Sequence, residues 1–251
     1  MLEHSLPTVK PKPWGVWATL GFSLVIFGVF LLIQTLVLLA FLAARVAQEP
    51  SIDPQVLQGS LAFNGLVLAI ATLASAPVCI ALIALFAKLR KQLSLHDYLG
   101  LHRPTRRQVL EWCSVAVMCN VGIDLLKSFV DLPIIPPVIV KSYETAFILP
   151  LFYLAVVVMA PVFEELFFRG FLYQGFRHSF LKVTGAIAIP SLLWALIHQQ
   201  YDWIDVAGIF IFGIVLGLAR HRTGSVYVAV SMHALNNFLA LMQVAWTVHS
   251  S

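Results

Sequence analysis

Uncharged apolar runs of membrane-spanning length constrain this chain more than any other feature. Trp14 to Ala44 contains no Asp, Glu, Lys or Arg. A hydrophobic stretch of about 18 residues already suffices for a transmembrane helix, because lipid offers no partner to an open backbone. Seven such spans can be drawn, at 14–44, 60–87, 108–130, 147–173, 183–200, 203–220 and 225–246. The fifth and sixth are short and closely joined, and the first is long enough to break in two. The expectation is an all-α polytopic transmembrane helical bundle of about seven spans, or eight with a split or re-entrant segment. The first run is also far longer than the roughly 7–15 residues of a signal h-region, so it is read as a retained span. Composition agrees: 60% of residues are apolar and 11% charged, against about 25% charged in soluble domains.

The net charge of +4 matters less than its placement. Basic residues cluster at Lys10 and Lys12, between Lys88 and Arg107, at Arg177 and Lys182, and at Arg220 and Arg222. The alternate loops are poor in them. The positive-inside rule then puts the N-terminus in the cytoplasm and the C-terminus on the opposite side, as expected of a multi-pass protein of the cell membrane. No aromatic-basic motif or basic soluble domain points to nucleic acid. The 88–107 stretch reads as an ordinary positive-inside loop, with an amphipathic surface helix as the alternative. Cys79, Cys113 and Cys119 read as small buried hydrophobes. No repeat divides the chain, so residues 1–251 are expected to form one membrane domain. Within it lie a cytoplasmic segment 1–13, N-terminal spans over 14–130 and a core over 147–246, with the active site among the last four spans.

Ionisable groups inside spans are functional candidates by default, since each costs about 2.5–3.5 kcal/mol on insertion scales. The first two-thirds of the chain has few. Gln34, Asn64 and Asn120 are neutral and suit interhelical hydrogen bonds. Asp124 and Lys127 are three apart and can pair near the outer boundary. The last third differs. Glu164, Glu165 and Arg169 follow Pro161, Trp194 precedes His198 by one turn, and His233 precedes Asn236 and Asn237.

Spacing suggests roles. Glu165 and Arg169 are four apart with the acid first, the favourable order for an intrahelical pair. Glu164 is turned about 100° away and has no partner three or four residues off, which leaves it suited to act as a general base. Pro161 can kink the helix just before it. Position 181 is 17 residues from both Glu164 and His198, so the two can meet at similar depth across one helical hairpin. Trp194 could wall the site or stack on a substrate. His233 and Asn237 share a helix face, and two donors aimed at one point suit an oxyanion. Asn236 points elsewhere. His233 lies nearer its own turn than Glu164 does, so the fourth span must extend or tilt. Gly213 and Gly217 form a GxxxG that permits close helix packing. There is no HExxH and no GxSxG. Two histidines and a glutamate could ligate zinc, so a metal reading stays open.

Glu164-Glu165-x-x-x-Arg169, an aromatic-x-x-x-His ending at His198, and His233-x-x-x-Asn237 together resemble the signature of the CPBP intramembrane proteases. That family includes CAAX-processing endopeptidases and bacterial Abi-type proteins. The resemblance covers 148–246. One departure is Trp194, where the pattern usually has Phe. The resemblance implies a glutamate-type endopeptidase without an obligatory metal or other cofactor. It assigns water activation to Glu164 and His198, oxyanion stabilisation to His233 and Asn237, and support to Glu165 and Arg169. The implied substrate is a membrane-anchored or lipidated peptide or protein, such as a prenylated CAAX sequence. The alternatives are a zinc-dependent version of the same protease, a non-catalytic Abi-type partner or immunity protein, and a transporter, for which no inverted repeat is present.

Overall fold

The computed structural model describes residues 11–51 and 53–250. Of the expected N-terminal segment 1–13, only 11–13 fall within them. The described residues form ten helices and no strand: α1 Val16–Gln48, α2 Pro54–Leu61, α3 Gly65–Lys88, α4 Leu95–Leu99, α5 Arg106–Phe129, α6 Pro137–Glu144, α7 Leu149–Arg177, α8 Lys182–Leu196, α9 Trp203–Thr223 and α10 Val226–Ser250. The fold is an all-α polytopic bundle. Six helices, α1, α3, α5, α7, α9 and α10, are long and apolar enough to cross a membrane. The first apolar run is one unbroken helix. The fifth expected span, 183–200, is helical only to Leu196, and α8 has 15 residues.

Local chemistry sets the helix ends. Asn64 caps α3 by accepting from the Leu66 and Val67 amides, so it serves its own helix rather than bridging two. Thr105 and Gln108 form a capping box that starts α5. Asp202 accepts from the Ile204 and Asp205 amides at the start of α9. Gly224 ends α9 in the left-handed conformation.

The bundle is built around α7, which packs against α3, α8 and α10. α1 lies on α3, where Gln34 donates to Ser75 Oγ at 3.0 Å and the Trp14 indole to the Phe86 carbonyl at 2.8 Å. α8 and α9 pack through the GxxxG. A Cβ on Gly213 would stand 2.9 Å from Ser191 Cβ, and one on Gly217 2.8 Å from Ile187 Cγ2. Neither position has room for a side chain without displacing a helix.

The basic connections meet at one end of the bundle. Arg90 donates to the Lys12 carbonyl, Ser225 Oγ to the His102 carbonyl and the Val226 amide to the Gly100 carbonyl. The 88–107 stretch is neither a loose loop nor a long amphipathic helix. It folds over this end as the single turn α4, with Tyr98 and Leu99 buried. Gly100 leaves α4 at φ 71°, and the Arg220 guanidinium fills the space a Cβ would take. Ser94 donates to Asp97 Oδ2 at 2.6 Å, a bond that holds the exposed Asp97 carboxyl below the usual carboxylate range.

The opposite end corrects one expected pairing. Buried Lys127 donates to Asp205 Oδ1 at 2.6 Å and to the Ile134 carbonyl at 3.0 Å, tying α5 to α9. It does not take Asp124 as its salt-bridge partner. A flexible lysine at a helix end reaches across the interface, where Asp205 is better placed than a neighbour on its own helix.

Candidate active site

The site is organised by α7, which is not a uniform α-helix. Residues Leu154–Met159 and Leu166–Leu172 are wound as π-helix, and one α-helical segment, Ala160–Glu165, lies between them. Such segments are rare and tend to occur where a helix carries function. The first has an identifiable cause. The Ala160 amide bonds five residues back to the Ala155 carbonyl. In that register the Val156 carbonyl would await Pro161, which has no N–H. Asn237 on α10 supplies the missing donor, its Nδ2 lying 2.9 Å from the Val156 carbonyl.

The interposed segment presents the two carboxylates in different surroundings. Glu165 is wholly buried. Its Oε1 accepts from Arg169 Nη1 at 2.8 Å and from His233 Nδ1 at 2.9 Å. Arg169 is also buried, donates to the Gly213 carbonyl at 3.0 Å, and lies 4.8 Å above the Trp194 ring. The glycine at 213 is what lets that carbonyl approach a guanidinium so closely. The expected Glu165–Arg169 pair is therefore present, and it extends to α9 and α10.

Glu164 is only partly buried. It is not partnerless as spacing along its own helix implies, because its partner comes from α8. The Trp194 indole donates to Glu164 Oε2 at 2.6 Å. Trp194 is 3% exposed, so it is an interior residue at the centre of the cluster and not an open pocket wall. Its ring meets His198 and His233 edge to face, at 5.4 and 5.1 Å between centroids. Its backbone carbonyl lies 2.7 Å from His198 Nδ1.

These contacts fix the histidine tautomers by elimination. A carbonyl can only accept, so His198 Nδ1 carries a hydrogen and its Nε2 presents a lone pair when the ring is neutral. His233 Nδ1 faces a carboxylate, so it too donates, and its Nε2 faces away from Glu165. Neutral His233 is thus an acceptor at Nε2. It becomes a donor there only as an imidazolium.

The structure links Glu164 and His198 through Trp194, and joins Glu165, Arg169 and His233 to one another and to the same ring. Asn237 joins through the Val156 carbonyl, and Asn236 does not point away but donates to Asn237 Oδ1 at 3.3 Å. The question of depth is answered by α7 running on. Tyr173 is level with His221, 3.0 Å from hydroxyl to Nδ1, and the helix continues to Arg177. In the sequence Arg220 looks only like a topology-setting charge. It is 3% exposed, donates to the Arg169 carbonyl at 3.1 Å, and stacks 5.2 Å from the Tyr173 ring. The signal was its place in the last turn of α9, on the apolar run's side of Arg222.

Residues 146–239 match the family model for type II CAAX prenyl endopeptidase, Rce1-like. Two curated proteins are similar over the same kind of length. An "Uncharacterized 24.3 kDa protein" of Escherichia coli is 33% identical over 92 residues, 36% of this chain and 42% of the relative. The UPF0177 protein YbdI of Lactococcus lactis is 30% identical over 90 residues, 36% of this chain and 47% of the relative. The chain thus aligns with less than half the length of either. No solved structure matches. The family match falls on α7 to α10, the helices that carry the cluster, and over that part of the chain it supports the CPBP/CAAX protease family.

Proposed function

We propose that the chain is an intramembrane glutamate-type endopeptidase acting on membrane-anchored or lipidated peptides. The observation that carries this is the double use of Trp194. Its indole N–H holds one Glu164 oxygen, and its carbonyl holds His198 with the Nε2 lone pair presented. One residue thereby orients a carboxylate and an imidazole as a pair of proton acceptors, as activation of a water requires.

In the reaction, Glu164 takes a proton from water as the water oxygen attacks the scissile carbonyl carbon. His198 orients that water through Nε2. The carbonyl oxygen becomes an oxyanion, received by Nε2–H of His233 as an imidazolium and by the second N–H of Asn237 Nδ2. Glu164 then gives that proton to the leaving amine nitrogen as the tetrahedral intermediate collapses and the C–N bond breaks. Glu165 holds His233, and Arg169 holds Glu165.

The test is cleavage of a prenylated or otherwise membrane-anchored peptide by the purified protein in liposomes. Glu164→Ala and His198→Ala should each lower kcat by about 10²–10⁴, the usual range for lost acid–base catalysis, with the fold intact. Full activity in Glu164→Ala would sink the mechanism. A cellular phenotype that survives both substitutions but not deletion would make the chain a binding partner instead.

A further inference from the structure

Among the described residues, one group of three His, Cys, Asp or Glu side chains brings its donor atoms within 4.8 Å of one another, and it is not in the membrane core. It consists of His96, Asp97 and His102 on the connection that caps the basic end. Glu164, His198 and His233 form no such group. His96 Nδ1 lies 3.7 Å and His102 Nε2 3.8 Å from the same oxygen, Asp97 Oδ1. The two imidazoles meet edge to face at 4.3 Å.

We propose that His96, Asp97 and His102 form a surface site for a divalent transition cation of the Zn²⁺ type. Ligands about 2.0–2.2 Å from a tetrahedral ion stand about 3.4 Å apart, so closing the site needs movements of only a few tenths of an ångström on the two short edges. Imidazole nitrogens with a carboxylate suit Zn²⁺ and its first-row neighbours better than Ca²⁺ or Mg²⁺, which prefer oxygen alone. Two imidazoles this close repel as cations but are compatible as neutral ligands of one ion. The carboxylate is already oriented, because its other oxygen accepts from Ser94. Such a bond to the unused carboxylate oxygen is the usual outer support of a metal ligand. With three protein donors, the remaining position is left to water.

The position gives the ion a consequence. His96 lies in α4 and His102 lies beyond the Gly100 turn, so one ion would clasp both sides of that turn. Leu99 between them packs on Gly170 of α7, and the His102 carbonyl receives Ser225 at the start of α10. Metal binding would therefore fasten the α3–α5 connection onto the helices that carry the catalytic candidates.

The experiment titrates Zn²⁺ and Co²⁺ into the purified full chain in detergent, with calorimetry, Co²⁺ absorption and the unfolding temperature as readouts. The expected result is one Zn²⁺ per chain, at least tenfold weaker binding in His96→Ala/His102→Ala and in Asp97→Asn, and a Zn²⁺-dependent rise in unfolding temperature that these variants lose. All three residues are exposed or half-buried, and His96→Gln/His102→Gln keeps side-chain volume should the alanine pair misfold. Equal stoichiometry and affinity in wild type and the double variants would overturn the proposal. So would binding lost only in Glu164→Ala/His198→Ala, which would move the ion to the membrane core, or no binding by the wild type.

Discussion

Trp194 shows how much of a residue's surroundings its spacing along one helix leaves open. One turn before His198, it reads as a wall or a stacking platform. Its tertiary contacts make it a double hydrogen-bonding partner, through the indole to Glu164 and through the carbonyl to His198. Trp194→Phe keeps a smaller ring beside Arg169, His198 and His233 and removes the indole N–H together with two ring carbons. A hydrogen bond to a charged group contributes about 1.5–3 kcal/mol, so kcat should fall about ten- to a hundredfold, and the smaller buried ring should lower stability as well. Steady-state cleavage and thermal unfolding, measured on the same preparation, check the two halves of that statement. An unchanged kcat would mean that Glu164 is held by something else. The Glu165–Arg169 pair was legible because both partners share one helix, where the period fixes neighbours. The Glu164–Trp194 and Lys127–Asp205 bonds were not, because each joins helices whose rotation the sequence leaves open.

At the scale of elements, the most informative departure from sequence reasoning is the winding of α7. The sequence announces a disturbance at Pro161, and a kink is the ordinary inference. The structure instead takes up the disturbance in a π-helical segment, with Asn237 filling the donor position that proline leaves empty. This gives Asn237 a structural task separable from the oxyanion role. Asn237→Ala strands the Val156 carbonyl, and an unpaired buried group costs about 1–3 kcal/mol. Pro161→Ala restores a backbone N–H at the position where the π register lacks one. The double variant should therefore regain most of the stability that Asn237→Ala loses. Activity should not return, because the side-chain donor is still missing. Unfolding temperatures of the two single variants and the double variant form a mutant cycle. Additive losses would show that the two residues do not share the carbonyl.

For the whole molecule, the seven apolar runs were legible almost to their ends because lipid leaves helices no alternative. The short fifth run carries a consequence that its length alone did not disclose. α8 rises about 22 Å over its 15 residues, and α9 about 31 Å over its 21. α8 starts and α9 ends at the basic end, so the irregular 197–202 segment begins about 9 Å short of the level at which α9 starts. Irregular backbone at membrane depth is tolerated only where protein buries it or water reaches it. Gln199 and Gln200 are exposed, which points to water, and His198 is their neighbour. We take the basic end as cytoplasmic by the positive-inside rule, so this opening faces the opposite side. In a chain with Cys79, Cys113 and Cys119 replaced by alanine, Gln199→Cys should react with a membrane-impermeant maleimide in intact cells. Thr105→Cys, at the basic end, should react only after lysis. The reverse pattern would invert the topology. Failure of Gln199→Cys to react from either side would close the proposed water route to His198 and leave Glu164 to draw its water from elsewhere.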